Sequence, residues 1–191
     1  MNWFVEWAKA AKDVMTDPKG FYSRIEKKEN YIYPIKFAAT SGFVASLISF
    51  VFLHMQNLMG VEIEPVLLSP LGLVLFLIFG IVGGPLGLFA NAAFTHLFVI
   101  VFGFEGYQKT TEAFSYPTSI SALLGWIPIL NLVAFIYMLY VEARALESFH
   151  GMSTKLAAVA VVFGVLLPIV LVSVVGIIFA LTLDLEVLLG M

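Results

Sequence analysis

Residues 65–104 read PVLLSPLGLVLFLIFGIVGGPLGLFANAAFTHLFVIVFGF, forty positions without an Asp, Glu, Lys or Arg. As one helix this stretch would run about 60 Å at roughly 1.5 Å per residue, twice a hydrocarbon core of about 30 Å. In its middle stands Gly83-Gly84-Pro85-Leu86-Gly87. Proline removes a helical hydrogen bond and glycine favours a turn, so the stretch is expected to split there. The expectation is two spans, near 67–83 and 86–102, joined by a very tight hairpin. A single long, kinked and tilted helix is the alternative.

Three more charge-free runs, 37–61, 113–141 and 156–183, bring the uncharged total to 122 of 191 residues. The apolar fraction is 61% and the charged fraction 12%, against roughly 45–50% and about 25% in soluble domains. Disorder and a soluble enzyme are both excluded. Spans near 36–57, 120–141 and 156–182 complete an all-α, polytopic transmembrane helix bundle of five spans over residues 34–191, preceded by an interfacial segment over 1–33.

Charge orients it. Seven of the ten Lys and Arg residues fall in the first 36 positions, and cytoplasmic loops carry the excess of such residues. Five spans with the N-terminus inside divide the cations nine to one, and four spans divide them eight to two. Either count predicts a cell-membrane protein with a cytoplasmic N-terminus, and five spans put the C-terminus outside. Glu62, Glu64, Glu105, Glu112, Asp184 and Glu186 are then expected on the outer face.

On a helical wheel Trp3, Phe4, Trp7, Ala8, Ala10, Ala11, Val14 and Met15 share one arc, with Glu6, Lys9, Lys12 and Asp13 opposite. That pattern predicts an amphipathic helix lying in the membrane interface, with Trp3, Phe4, Trp7, Lys9 and Lys12 in contact with the membrane surface. Asp17-Pro18 reads as an N-cap with proline at the first helical position, opening a second short helix over 18–29.

Signatures of catalysis are missing: the sequence has no HExxH, GxSxG or GxxxxGK[ST]. Without cysteine there is no thiol nucleophile or thiolate metal site, and His54, His96 and His150 have no metal-ligand spacing. No catalytic, cofactor or metal residue is expected, and every carboxylate is expected at an interface or outside. Polar residues at membrane depth are the functional lead: Asn91, Thr95 and His96 in the third span and Asn131 in the fourth. They form either a small polar pocket or interhelical hydrogen bonds such as Asn91 to Asn131. Small-xxx-small spacings, including Gly80-xxx-Gly84, Gly83-xxx-Gly87 and Ser41-xxx-Ala45-xxx-Ser49, suit close helix packing within the bundle or between copies.

A resemblance lies in the order of several motifs. Asp17-Pro18 and Phe21 precede the first span. Phe102-Gly103-Phe104-Glu105-Gly106-Tyr107, Ala113-Phe114-Ser115-Tyr116-Pro117 and Gly125-Trp126-Ile127-Pro128 follow the long apolar stretch. His150-Gly151-Met152-Ser153 then precedes the last span. The whole resembles the Yip domain family of Ypt/Rab-interacting membrane proteins, in its short prokaryotic form. The resemblance implies five spans, a cytoplasmic N-terminus and an external C-terminus. Eukaryotic members are associated with Rab GTPases and vesicle traffic, but no GTPase-binding, catalytic or cofactor residue is carried over. The expected function is non-enzymatic, in membrane organisation or recruitment of a protein partner at the cytoplasmic face. Its partners are the lipid bilayer and that protein, with no nucleic acid. A small transporter or channel built on Asn91, Thr95, His96 and Asn131 is the alternative.

Overall fold

The computed structural model describes residues 2–28 and 30–189, with side chains through Phe179 apart from Glu29. The expected outer-face acids Asp184 and Glu186 lie beyond the described side chains. The helices are α1 (Trp3–Thr16), α2 (Pro18–Arg24), α3 (Ile32–Leu58), α4 (Pro70–Val101), α5 (Tyr107–Ser115), α6 (Thr118–Leu124), α7 (Pro128–His150) and α8 (Thr154–Leu189). No strand occurs among the described residues. Four helices, α3, α4, α7 and α8, are long and apolar enough to cross a membrane.

The expected hairpin at Gly83–Gly87 is not there. α4 runs unbroken through Pro85 for 32 residues, about 48 Å. It is one helix where two spans, 67–83 and 86–102, were expected. Proline costs the Ile81 carbonyl its helical donor, a loss that transmembrane helices tolerate. The glycines serve packing instead. A Cβ built on Gly42 of α3 would overlap the Gly80 carbonyl, and one built on Gly84 would lie 2.5 Å from the Ala38 carbonyl. α3 and α4 therefore cross backbone to backbone as an antiparallel pair, and Ser46 Oγ donates to the Phe76 carbonyl at 2.6 Å. Without a hydrophobic drive between helices in lipid, such close approach supplies the packing that holds a pair together.

The expected span 120–141 is also broken. α6 ends at Leu124, Trp126 donates to the Leu123 carbonyl at 2.8 Å, and Pro128 starts α7 rather than kinking it. Thr118, at the start of α6, bonds Ser41 of α3 at 3.0 Å, whereas Trp126 packs on Phe52, eleven residues further along α3. α6 thus runs alongside α3 away from its N-terminal end, and α7 returns. The return ends where Thr110 of α5 bonds both His96 of α4 and His150 of α7, each at 2.9 Å. The α4–α5 and α7–α8 turns therefore share one end of the bundle.

The N-terminal segment caps that same end. Asn2 and Asp17 side chains cap α1 and α2, accepting from Phe4 N (3.1 Å) and Gly20 N (2.9 Å), and α2 stops at Arg24, short of the expected 29. α1 forms, but part of the apolar arc expected to meet the membrane lies on protein. Trp7, Ala11 and Val14 are buried, and the Trp3 and Trp7 indoles donate to Thr40 Oγ1 (2.8 Å) and Ser41 Oγ (3.0 Å). The core concentrates here, on Phe21, Tyr22, Phe37, Phe114, Tyr116 and Phe149. Away from this end the helices present apolar side chains outward, as in α8, where every residue from Ile169 to Phe179 is exposed. That is the surface lipid covers.

Candidate functional site

Of the four polar residues singled out in the sequence, three face the interior and one does not. Asn131 is exposed in the first turn of α7, so the expected Asn91–Asn131 hydrogen bond does not form. Asn91 Nδ2 instead donates to Glu142 Oε1 at 2.9 Å. Glu142 is 2% exposed, contrary to the expectation that every carboxylate sits at an interface or outside. Glu112 is equally buried, accepting from the Lys28 backbone N–H at 2.7 Å. The burial of Glu142 has a cause in α7 itself. Residues 142–155 lie between the expected spans 120–141 and 156–182, but Val141, Ala145, Leu146 and Phe149 are buried along one helical face, and α7 continues to its stop at Gly151, φ +69°. The spacing of those four apolar residues was the signal that could have placed Glu142 inside.

Thr95 is fully buried, and its Oγ1 has no hydrogen-bond partner among the described residues. It is held by packing, since a Cβ on Gly164 of α8 would overlap it. His96 joins the Thr110 and His150 chain, with the two imidazole centroids 6.2 Å apart. A hydroxyl can donate once and accept twice, so Thr110 links the two rings, with the direction of each bond set by the ring's tautomer. His150 is thus part of the packed end.

The Asn91–Glu142 pair divides two cavities. One, of about 260 Å³, lies between α3, α4, α6 and α7. The other, about 370 Å³ and nearly all apolar, lies between α4, α7 and α8, where Phe94, Phe135 and Pro168 line it. Ser41 and Thr118 wall the first cavity, so the Trp7 indole reaches its lining through Ser41. Among the described residues no group of three or more His, Cys, Asp or Glu side chains could hold a metal ion.

Of the expected membrane-surface residues, Trp7 is 6% exposed and faces the bundle. Trp3 is half-buried beneath the Lys36 ammonium, 4.0 Å from its ring centroid. Phe4, Lys9 and Lys12 are exposed. His54 is bonded locally, its Nδ1 3.0 Å from the Phe50 carbonyl, whereas Tyr22 reaches from α2 to α5 and donates to the Ala113 carbonyl at 3.2 Å. Burial pushes the Tyr22 hydroxyl well above its ordinary pKa, and does the same to Tyr116.

The family model of the Yip1 domain covers residues 12–177, from within α1 to near the end of the described side chains in α8. No curated protein and no solved structure matches the chain. With α1 to α8 inside the matched region in whole or in part, the chain belongs to the Yip1 domain family.

Proposed function

We propose that this is a non-enzymatic multi-pass protein of the cell membrane, whose packed end faces the cytoplasm and organises membrane or recruits a protein partner. One observation carries the reading: all ten Lys and Arg residues belong to the same end of the bundle. Lys9 to Lys28 are on or beside α1 and α2, Lys36 lies over Trp3, and Lys109 is on α5. Arg144 pairs with Glu147 one turn before His150, and Lys155 opens α8. The far loop, 59–69, carries Glu62 and Glu64 and no cation. Under the excess-inside rule, ten to none is a stronger asymmetry than the nine to one of five regular spans.

α6 and α7 then form a re-entrant hairpin. The chain crosses outward in α3 and returns in α4. It dips and comes back on the cytoplasmic side in α6–α7, and crosses outward in α8, leaving the C-terminus external. The cytoplasmic working surface is α1 and α2, whose cleft is lined by Lys9, Asp13, Phe21, Arg24 and Ile25. Its mixture of exposed charge and apolar floor suits a protein segment better than a uniform anionic surface.

The chain has no native cysteine, so single cysteines report topology cleanly. An impermeant thiol reagent applied to intact cells is expected to label position 62 and to leave 24, 109 and 148 protected. External labelling at 109 together with protection at 148 would restore five regular spans and remove the re-entrant hairpin.

A further inference from the structure

The 260 Å³ cavity has a buried carboxyl group at one pole and no basic partner for it among its lining residues. Glu142 is 2% exposed and accepts from a neutral amide, Asn91, and no Lys or Arg lines the space. A carboxylate taken out of water stays ionised only with a positive partner or several donors, and otherwise takes up a proton. One carboxamide does not meet that requirement.

The opposite wall is kept small in a way that helix packing does not explain. Gly80 and Gly84 are the glycines that meet α3. A Cβ built on Gly83 or Gly87 would meet no atom within 4 Å outside the local helix backbone, yet both line the cavity. Glycine weakens a helix relative to alanine, and at these two positions no neighbouring element demands it. Both glycines are exposed, so they form the open rim of the space that Glu142 closes at its other side. Leu88, Phe114 and Met138 complete an apolar surround.

We propose that this cavity binds a small organic cation: a primary or quaternary ammonium on a short apolar body. The ammonium sits against Glu142, and the body lies over Gly83 and Gly87. An anion is opposed by the carboxylate and finds no cation. A calcium ion takes six to eight oxygen ligands, and no cluster of acidic or histidine side chains supplies them. The volume lies just below the usual range for ligand pockets, about 300–1,000 Å³, which limits the body to a few carbons. The same ammonium chemistry is offered by a free amine and by the ethanolamine head of a phospholipid.

The test uses the full chain in nanodiscs of phosphatidylglycerol alone, with thermal unfolding followed by tryptophan fluorescence. Titration with n-butylammonium is expected to raise the Tm in a saturable way, whereas uncharged n-butanol does not. In Glu142→Gln the half-saturating concentration should rise roughly tenfold or more, the usual worth of a charged hydrogen bond. Gly87→Leu fills the cavity from a helix that leucine strengthens, so it should abolish the response without loss of the fold. Should Glu142→Gln not fold, that second variant decides. In discs containing phosphatidylethanolamine, a suppressed butylammonium response identifies the lipid head as the occupant, and an unchanged one identifies a free amine. The proposal is overturned if butylammonium has no effect, if butanol matches it, or if the response survives in both variants.

Discussion

Five glycines of similar appearance divide by what lies opposite them. Gly42, Gly80 and Gly84 carry the α3–α4 crossing, where an added methyl meets backbone. Gly83 and Gly87, on the same α4 turns, meet nothing. Gly42→Ala is therefore expected to destabilise by about 1–3 kcal/mol, the usual cost of overpacking. Gly83→Ala should be neutral or stabilising by up to about 1 kcal/mol from helix propensity alone. Reversible unfolding in mixed micelles would compare the two, and equal effects would refute the division. Sequence reasoning recognised small-xxx-small spacing at Gly80 and Gly84, but it gave the run to a turn because proline and glycine break helices in water. It also found Asn91 and missed Glu142, because the charges of Glu142, Arg144 and Glu147 outweighed the helical spacing of Val141, Ala145, Leu146 and Phe149 around them.

Among elements, α2 illustrates how a short helix is held by side chains rather than by its own seven residues. Tyr22 packs edge-on against Phe21, Tyr116 and Phe149, at centroid distances of 5.1, 6.1 and 6.2 Å, and its carbonyl accepts from Ser148 Oγ at 2.7 Å. Its hydroxyl pKa is raised above the ordinary 10.0 by burial first and by the nearby Glu142 second. A raised folded-state pKa means the neutral form is favoured in the fold. The contribution is full below pH 10 and is lost as pH rises above it. Thermal stability should thus fall steeply above pH 10, and Tyr22→Phe, which keeps the ring contacts, should flatten that fall. An identical pH profile in the variant would mean that Tyr22 does not report the α2 dock. The existence of α1 and the Asp17-Pro18 start of α2 were legible from arc and cap. Their docking on protein was not, since an apolar arc looks the same whether it meets lipid or another helix.

At the scale of the molecule, the sequence disclosed a helical membrane protein with a basic N-terminal side, through charge-free runs that no soluble fold of this size could bury. It did not disclose the path of α4 to α7. Two errors, splitting α4 and joining α6 to α7, each followed from reading length against bilayer thickness. The contact among His96, Thr110 and His150 depends on residues up to 54 positions apart, and nothing local announces it. If charge asymmetry fixes the orientation, weakening it should be measurable. Glu62→Lys combined with Glu64→Lys puts two cations on the far loop, and a fraction of molecules should then expose a cysteine at 109 to the impermeant reagent. Unchanged protection at 109 would show that packing, not charge, sets the orientation.

The dock of the N-terminal segment also fixes a timetable. Tyr137 donates to the Met15 carbonyl at 2.9 Å, and Lys27 to the Ser148 carbonyl at 3.0 Å, across 122 and 121 positions of sequence. Chains emerge from the ribosome at about 5–20 residues per second, so α1 and α2 wait roughly 6–25 seconds for these partners to be made. During that interval their apolar arc has only membrane or a chaperone to cover it. Helices made before the rest of the bundle are thus among the last to be seated.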